Sequence, residues 1–274
     1  MKRQSSNQIA PIAWQLCDRQ PKGTLKGIIL AAEQGTRLRS LHGELPKCLT
    51  TFNNSDWTIL DQQIHSLLLA GVREIGIVIG YQKDQVIRHV TQHYTGLLNR
   101  FNFIDNPRFR ERSNIYSLWL ARNWLKRSSF VVLNADVVFD AGILPPALAS
   151  TAPITVVVDR SWRGETMKVI IQGSWITRMG RQIPEEVASA SYIGIAVFQA
   201  GTSDRFFEKI YHLIQNGQNQ VCFNVGIQQL IEEGVPVGYT ETTDHPWTEV
   251  DDPGDLALAR LYIFPKLVAT LAAA

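Results

Sequence analysis

"GIILAAEQGTRLRSLHGELPKCL" (27–49) decides how the rest of the chain is read. Ile28, Ile29, Leu30, Ala31 and Ala32 form a continuous apolar run, which suits a strand buried on both faces of a parallel sheet. A short loop with Gly35 follows, then Arg37, then Pro46 and Lys47. Strand, loop, then helix in a first βα unit puts that loop at the carboxyl edge of the sheet, where open α/β sheets bind ligands. Gly35 lets the backbone approach a ligand closely, and Thr36 with the loop N–H groups can donate to phosphate oxygens. Arg37 offers a planar fork and Lys47 a point charge, aimed by the fixed Pro46. The loop is neither a Walker loop nor a GxGxxG fingerprint. A solvent-exposed basic loop is the plain alternative.

The same rhythm continues outward. "TILDQQIHSLLLAG" carries Ile59, Leu60, Ile64, Leu67 and Leu68 at helical spacing, with Gly71 as its stop. "EIGIVIG" predicts a second buried strand, "KDQVIRHVTQHY" a helix and "RFNFID" a third strand. "SNIYSLWLARNWL" predicts a helix capped by Ser113 or Asn114, and "SFVVLNADVVF" a fourth strand. After about residue 150 short strands crowd together, then helices are expected near 202–216 and 223–233, a strand at "PVGYTET" and a last helix from about 254. This predicts an α/β, three-layer Rossmann-like fold with a mostly parallel mixed central sheet. Residues 1–25 lack a period and read as an arm; 26–274 read as one domain.

Composition narrows the partners. A net charge of +2 forces no binding to nucleic acid or to a membrane surface. No apolar run approaches the roughly 20 residues that span a bilayer. The polar N-terminus lacks a signal-peptide core, so a cytoplasmic location is expected. Cys17, Cys48 and Cys222 are isolated, which argues against a zinc site or a disulfide framework. Oligomeric state, a homodimer included, stays open.

The motif resembles the nucleotidyltransferase signature "LAAGxGTRLxPLTxxxPK", matched by Leu30, Ala31, Ala32, Gly35, Thr36, Arg37, Leu38, Leu41, Pro46 and Lys47 with spacing intact. It departs at Glu33, where the family has Gly, and at Ser40 and His42. "ERSNIYSLWLA" and "VVVDRSWRGETMKVII" resemble segments of the phosphocholine and 2-aminoethylphosphonate cytidylyltransferase branch. The resemblance implies a nucleoside triphosphate, CTP favoured, a small phosphorylated or phosphonate acceptor, and Mg²⁺ held by Asp136 and Asp251. It implies phosphate and reaction roles for Arg37, Lys47 and Lys168. Gly80, Tyr81, Gln82, Asn114 and Ser117 would join the loop in binding nucleotide; an ordinary turn and a helix cap are their plain alternatives. Tyr116, Arg160, Arg163, Glu165 and Tyr192 would bind the acceptor, although residues 159–165 equally suit a solvated loop. Family members often carry an acid before the tyrosine; here Ser191 stands there. Glu33 could repel the triphosphate, pair with Arg37 or Arg39, add a metal ligand, or strain a backbone needing positive φ. The rivals are a sugar-1-phosphate nucleotidyltransferase, a glycosyltransferase and an inactive nucleotide-binding protein.

Overall fold

The computed structural model describes residues 25–38, 43–52, 56–161 and 166–267. The arm, apart from Leu25, and the predicted site residues Arg163 and Glu165 lie outside them.

The opening run forms β1 (Lys26–Ala31). Its side chains alternate between two cores. Ile28 and Leu30 pack into one, Ile29 and Ala31 into the other. That is why the run carries no polar residue: a central strand with both faces covered has no wet side. The strand pairs in parallel with β2 (Glu74–Ile79) and β4 (Phe130–Asn134), and β2 pairs with β3 (Phe101–Asp105). Helices α1 (Ile59–Leu69) and α2 (Lys83–His93) follow β1 and β2. Two short helices, α3 (Asn114–Leu120) and α4 (Arg122–Leu125), lead into β4.

"SFVVLNADVVF" is not one strand. After Asn134 the chain turns through Ala135 and Asp136, and β5 (Val137–Phe139) leaves the main sheet. It pairs instead with β11 (Trp247–Glu249), antiparallel, in a two-stranded sheet. Periodicity could not reveal the break, because both segments are apolar and buried. Two buried glutamines of α1 explain it. Gln63 Nε2 donates to the carbonyls of Asn134 and Val137, 2.8 Å each, on either side of the turn. Gln62 Nε2 donates to the Phe139 carbonyl. Backbone groups that the turn releases from the ladder are thereby satisfied.

The second half adds α5 (Leu144–Ala149), β6 (Ile154–Asp159), β7 (Met167–Gln172), β8 (Trp175–Gly180) and β9 (Ala190–Phe198). Then come α6 (Ala200–Gln215), α7 (Asn224–Glu232), β10 (Val237–Glu241) and α8 (Pro253–Leu258). The main path of the nine-stranded sheet is β10-β6-β9-β4-β1-β2-β3, with β7 on β9 and β8 on β7. On that path β9 alone runs against its neighbours. The fold is therefore α/β with a mixed, mostly parallel sheet, as expected. The loops after β1, β4, β6 and β10 all open at one edge. Among the described residues no helix is long and apolar enough to cross a membrane.

Candidate active site

The loop after β1 is fixed from below. Leu38, fully buried, anchors the turn Thr36–Leu38 against Phe52, Ile59 and Val250. Gly35 has φ +66°, and a Cβ there would stand 2.7 Å from the Lys47 Cβ. Only glycine fits, because the lysine stem lies against its backbone. Lys47 starts the turn Lys47–Leu49, with Cys48 and Leu49 buried in the core. Gly80, at the end of the neighbouring strand β2, is equally confined: a Cβ would be 2.9 Å from the Ala32 carbonyl. That carbonyl accepts from the Tyr81 N–H at 3.0 Å.

Asp136 and Asp251, distant in sequence, are brought together by the β5–β11 pair. The ladder extends one step further through Val250 N donating to the Asp136 carbonyl, 2.9 Å. Asp252 and Asp255 then form a capping box at the start of α8, and Asp255 Oδ2 also accepts from the Asp251 N–H. The Asp251 side chain is left to face the loop.

Lys47 Nζ, nearly buried, donates to Asp136 Oδ2 at 3.0 Å and to Asp251 Oδ1 at 2.5 Å. Arg37 reaches the other Asp251 oxygen, Oδ2, at 3.0 Å. Burial pulls the Lys47 ammonium toward losing its proton, but the two carboxylates outweigh that and hold its pKa above the ordinary lysine value. Burial pushes Asp251 up, yet Lys47 and Arg37 bring it below the usual carboxylate range. Asp136 Oδ1 is buried and has no hydrogen-bond partner among the described residues.

Two more acids look onto this pair. Glu249 closes β11, and burial followed by Asp136 and Asp251 holds its pKa at about 7. Glu33 is exposed at the cleft mouth, but the protein packed around it and the charge of Asp136 push its pKa up; Lys47 pulls the other way. Its φ is not positive, so a non-glycine residue is unstrained there.

Loop residues Glu33 to Arg37, with Lys47 and Asp251, form one wall of a cleft of about 530 Å³. Phe109, Arg110, Arg112, Ser113 and Gln220 form the other. The volume suits a small ligand. The sequence reading took in Ser113 only as a helix cap and Arg112 only within a family-like segment, and passed over Phe109, Arg110 and Gln220. The signal for this wall was "NPRFRERS", three arginines at alternate positions just past β3.

The remaining predicted residues fall into three groups. Tyr81 is buried against Phe109, and Gln82, at φ +47°, precedes α2. Asn114 accepts from the Phe223 N–H at 3.0 Å and lies 3.5 Å from Asn134; Ser117 is buried and accepts from Asn106 Nδ2. The ring of Tyr116 carries the Arg112 guanidinium. Ser113 begins α3 without a side-chain cap. Farther along the sheet edge, Tyr192 is buried with its hydroxyl unpartnered among the described residues. Burial, then the charge of Glu249, raises its pKa well above the ordinary tyrosine value. Ser191 bonds Thr166, and Lys168 Nζ donates to the Arg181 carbonyl at 3.2 Å. Arg160 is not in this cleft. It pairs with Glu241 at 2.8 Å beside a separate hollow that includes Asp159, His245 and Trp247.

No group of three or more His, Cys, Asp or Glu side chains poised to hold a metal exists among the described residues. The donor set still fits a hard cation. Mg²⁺ takes one or two carboxylates and fills its shell with water and phosphate oxygens. Asp136 and Asp251 supply the carboxylates, and the unpartnered Asp136 Oδ1 is a ready donor.

Residues 26–163 match the model of the nucleotidyl transferase family, and the chain belongs to it. The CTP:phosphoglutamine cytidylyltransferase of Campylobacter jejuni is 23% identical, over 85% of this chain and 98% of its own length. The 2-aminoethylphosphonate cytidylyltransferase of Lancefieldella rimae is 31% identical, over 43% of this chain and 46% of its length. The solved CTP:phosphocholine cytidylyltransferase of Streptococcus pneumoniae superposes with a TM-score of 0.70 and 22% identity, over 86% and 98% of the two chains.

Proposed function

We propose that this nucleotidyltransferase moves CMP from CTP to a small phosphate or phosphonate acceptor and releases pyrophosphate. The observation that carries the reading is the contact of Lys47 with both Asp136 and Asp251 beneath the Gly35 loop. It gathers cationic and carboxylate groups where a triphosphate and its counter-ion would meet. The acceptors named for the relatives, all phosphate or phosphonate compounds, support the branch.

In this reading the loop N–H groups, Thr36 and Arg37 receive the triphosphate, and the base lies toward Gly80, Tyr81 and Gln82. Asp136 and Asp251 would hold Mg²⁺, which when bound supplies neutralisation of phosphate charge. An ionised oxygen of the acceptor attacks the α-phosphorus. The new P–O bond forms as the bond to pyrophosphate breaks, and the leaving charge is met by Arg37 and Lys47. The attacking group is already ionised at neutral pH, so no general base is needed. Rate then comes from positioning and charge stabilisation. Lys168 holds the acceptor's phosphate or phosphonate. Tyr192 and Glu249 face its other end, and Glu249 suits an amine or ammonium there. Arg163 and Glu165 remain assigned to the acceptor, whereas Arg160, held by Glu241 beside the separate hollow, does not. One domain, 26–274, following the arm in sequence, carries the whole reaction.

The test is pyrophosphate release from CTP and Mg²⁺ with phosphocholine, 2-aminoethylphosphonate and sugar-1-phosphates offered separately. Release with a phosphate or phosphonate amine is expected. Release only with a sugar-1-phosphate moves the protein to that branch, and nucleotide binding without release under any acceptor contradicts the reading.

A further inference from the structure

The contact that identifies the site also blocks it. Of the four oxygens on Asp136 and Asp251, three are already engaged: two by Lys47 and one by Arg37. The fourth, Asp136 Oδ1, is buried without a partner among the described residues. The two acids and two bases sum to zero charge. A divalent cation arriving alone would share these oxygens with an ammonium already between them. It would gain one unused oxygen and suffer repulsion from Lys47 and Arg37 at short range.

We infer that Lys47 is a built-in counter-ion: it occupies the Asp136–Asp251 carboxylates in the free protein, weakens their hold on a divalent cation, and leaves them for the triphosphate when nucleotide binds. The inference rests on the reading of the cleft as a nucleotide site. Three features favour it. Lys47 is 6% exposed, so water cannot solvate its ammonium fully and it needs anions wherever it sits. Its stem lies against Gly35, so phosphates bound at that loop are within the same small space. Arg37 is exposed, so little packing holds its guanidinium on Asp251, and both cations can exchange carboxylate for phosphate together. Metal and triphosphate then bind with mutual reinforcement, each removing the obstacle to the other, and the coupling is the same in both directions. Such a device keeps the two aspartates neutralised between turnovers.

The experiment needs no nucleotide. Mn²⁺ binding to the full chain is titrated by electron paramagnetic resonance for wild type and for Lys47→Met, Lys47→Gln and Lys47→Arg. Circular dichroism reports whether each variant is folded. Lys47→Met and Lys47→Gln, which remove the charge, are expected to bind Mn²⁺ at least about tenfold more tightly than wild type. Adding Asp136→Asn should abolish that gain and so locate it. Lys47→Arg keeps a cation and should stay as weak as wild type. Either neutral variant, folded and binding Mn²⁺ no more tightly than wild type, overturns the inference. Pyrophosphate release by wild type alongside that result would leave the proposed function standing. A gain in Mn²⁺ affinity without transfer under any acceptor would do the reverse.

Discussion

Lys47 is the residue on which the account turns. Lys47→Ala and Asp136→Asn should each lower kcat by roughly 10²-fold or more, the scale of removing one charge-stabilising group from a transition state. Both should remain folded by circular dichroism; near wild-type turnover in either would remove the residue from the reaction. Gly35→Ala tests the support beneath. Its Cβ would collide with the Lys47 stem at a left-handed backbone position, so turnover should fall by about tenfold or more. Glu33 makes an opposite prediction. Its negative charge faces the place where phosphates would bind, without backbone strain. Glu33→Gly should tighten CTP binding, measured by calorimetry, by several-fold, from loss of about 1 kcal/mol of like-charge repulsion in a wet cleft. At this scale the sequence pointed to Gly35, Arg37 and Lys47 through the spacing of the loop motif, and to Asp136 and Asp251 through the family resemblance. It did not show that Lys47 would sit on the aspartates, because ion pairing between distant segments leaves no periodic trace.

The helix α1 shows what patterning cannot carry. Its apolar residues give the right helix, but Asp61, Gln62, Gln63 and Ser66 are buried as well. The polar positions are wet in an ordinary amphipathic helix; here they serve the backbone of the β4–β5 turn and the Asp61 cluster. Gln63→Leu should take the amide donor from the buried Val137 carbonyl and the half-buried Asn134 carbonyl and cost about 1–3 kcal/mol, read as a lower Tm. Because those carbonyls flank Asp136, kcat should drop more than KM rises. Asp61 caps α1 through Thr58 and also accepts from His89 and Tyr94. Burial raises its pKa, but the His89 bond and charge and the Thr58 bonds bring the net shift below the ordinary value. The stability it adds is complete above the unfolded carboxyl value, roughly pH 4. It is lost as pH falls through the lower folded value. Asp61→Asn should therefore lower Tm at neutral pH and flatten the acid limb of the Tm profile. An unchanged acid limb would show that other carboxylates set it.

Across the molecule, the doubly wound half was legible because β1 and β2 are short, buried apolar runs with helices α1 and α2 after them. The later strands pointed to a mixed sheet but not to its order, since β7 and β8 leave the main path and β11 is three residues long. That small strand matters most for function: with β5 it joins the two aspartates across the chain. Arg160 was read into the same site from its place after β6, yet its side chain turns to Glu241, on the neighbouring strand β10. The central claim is attack at the α-phosphorus with both carboxylates and both cations gathered on the triphosphate. CTP labelled separately at the α- and γ-phosphorus, incubated with Mg²⁺ and an accepted phosphate or phosphonate, tests it most directly. The account predicts α-label in the CMP–acceptor product and γ-label in pyrophosphate. Transfer of γ-label to the acceptor, or release of CDP, would contradict it.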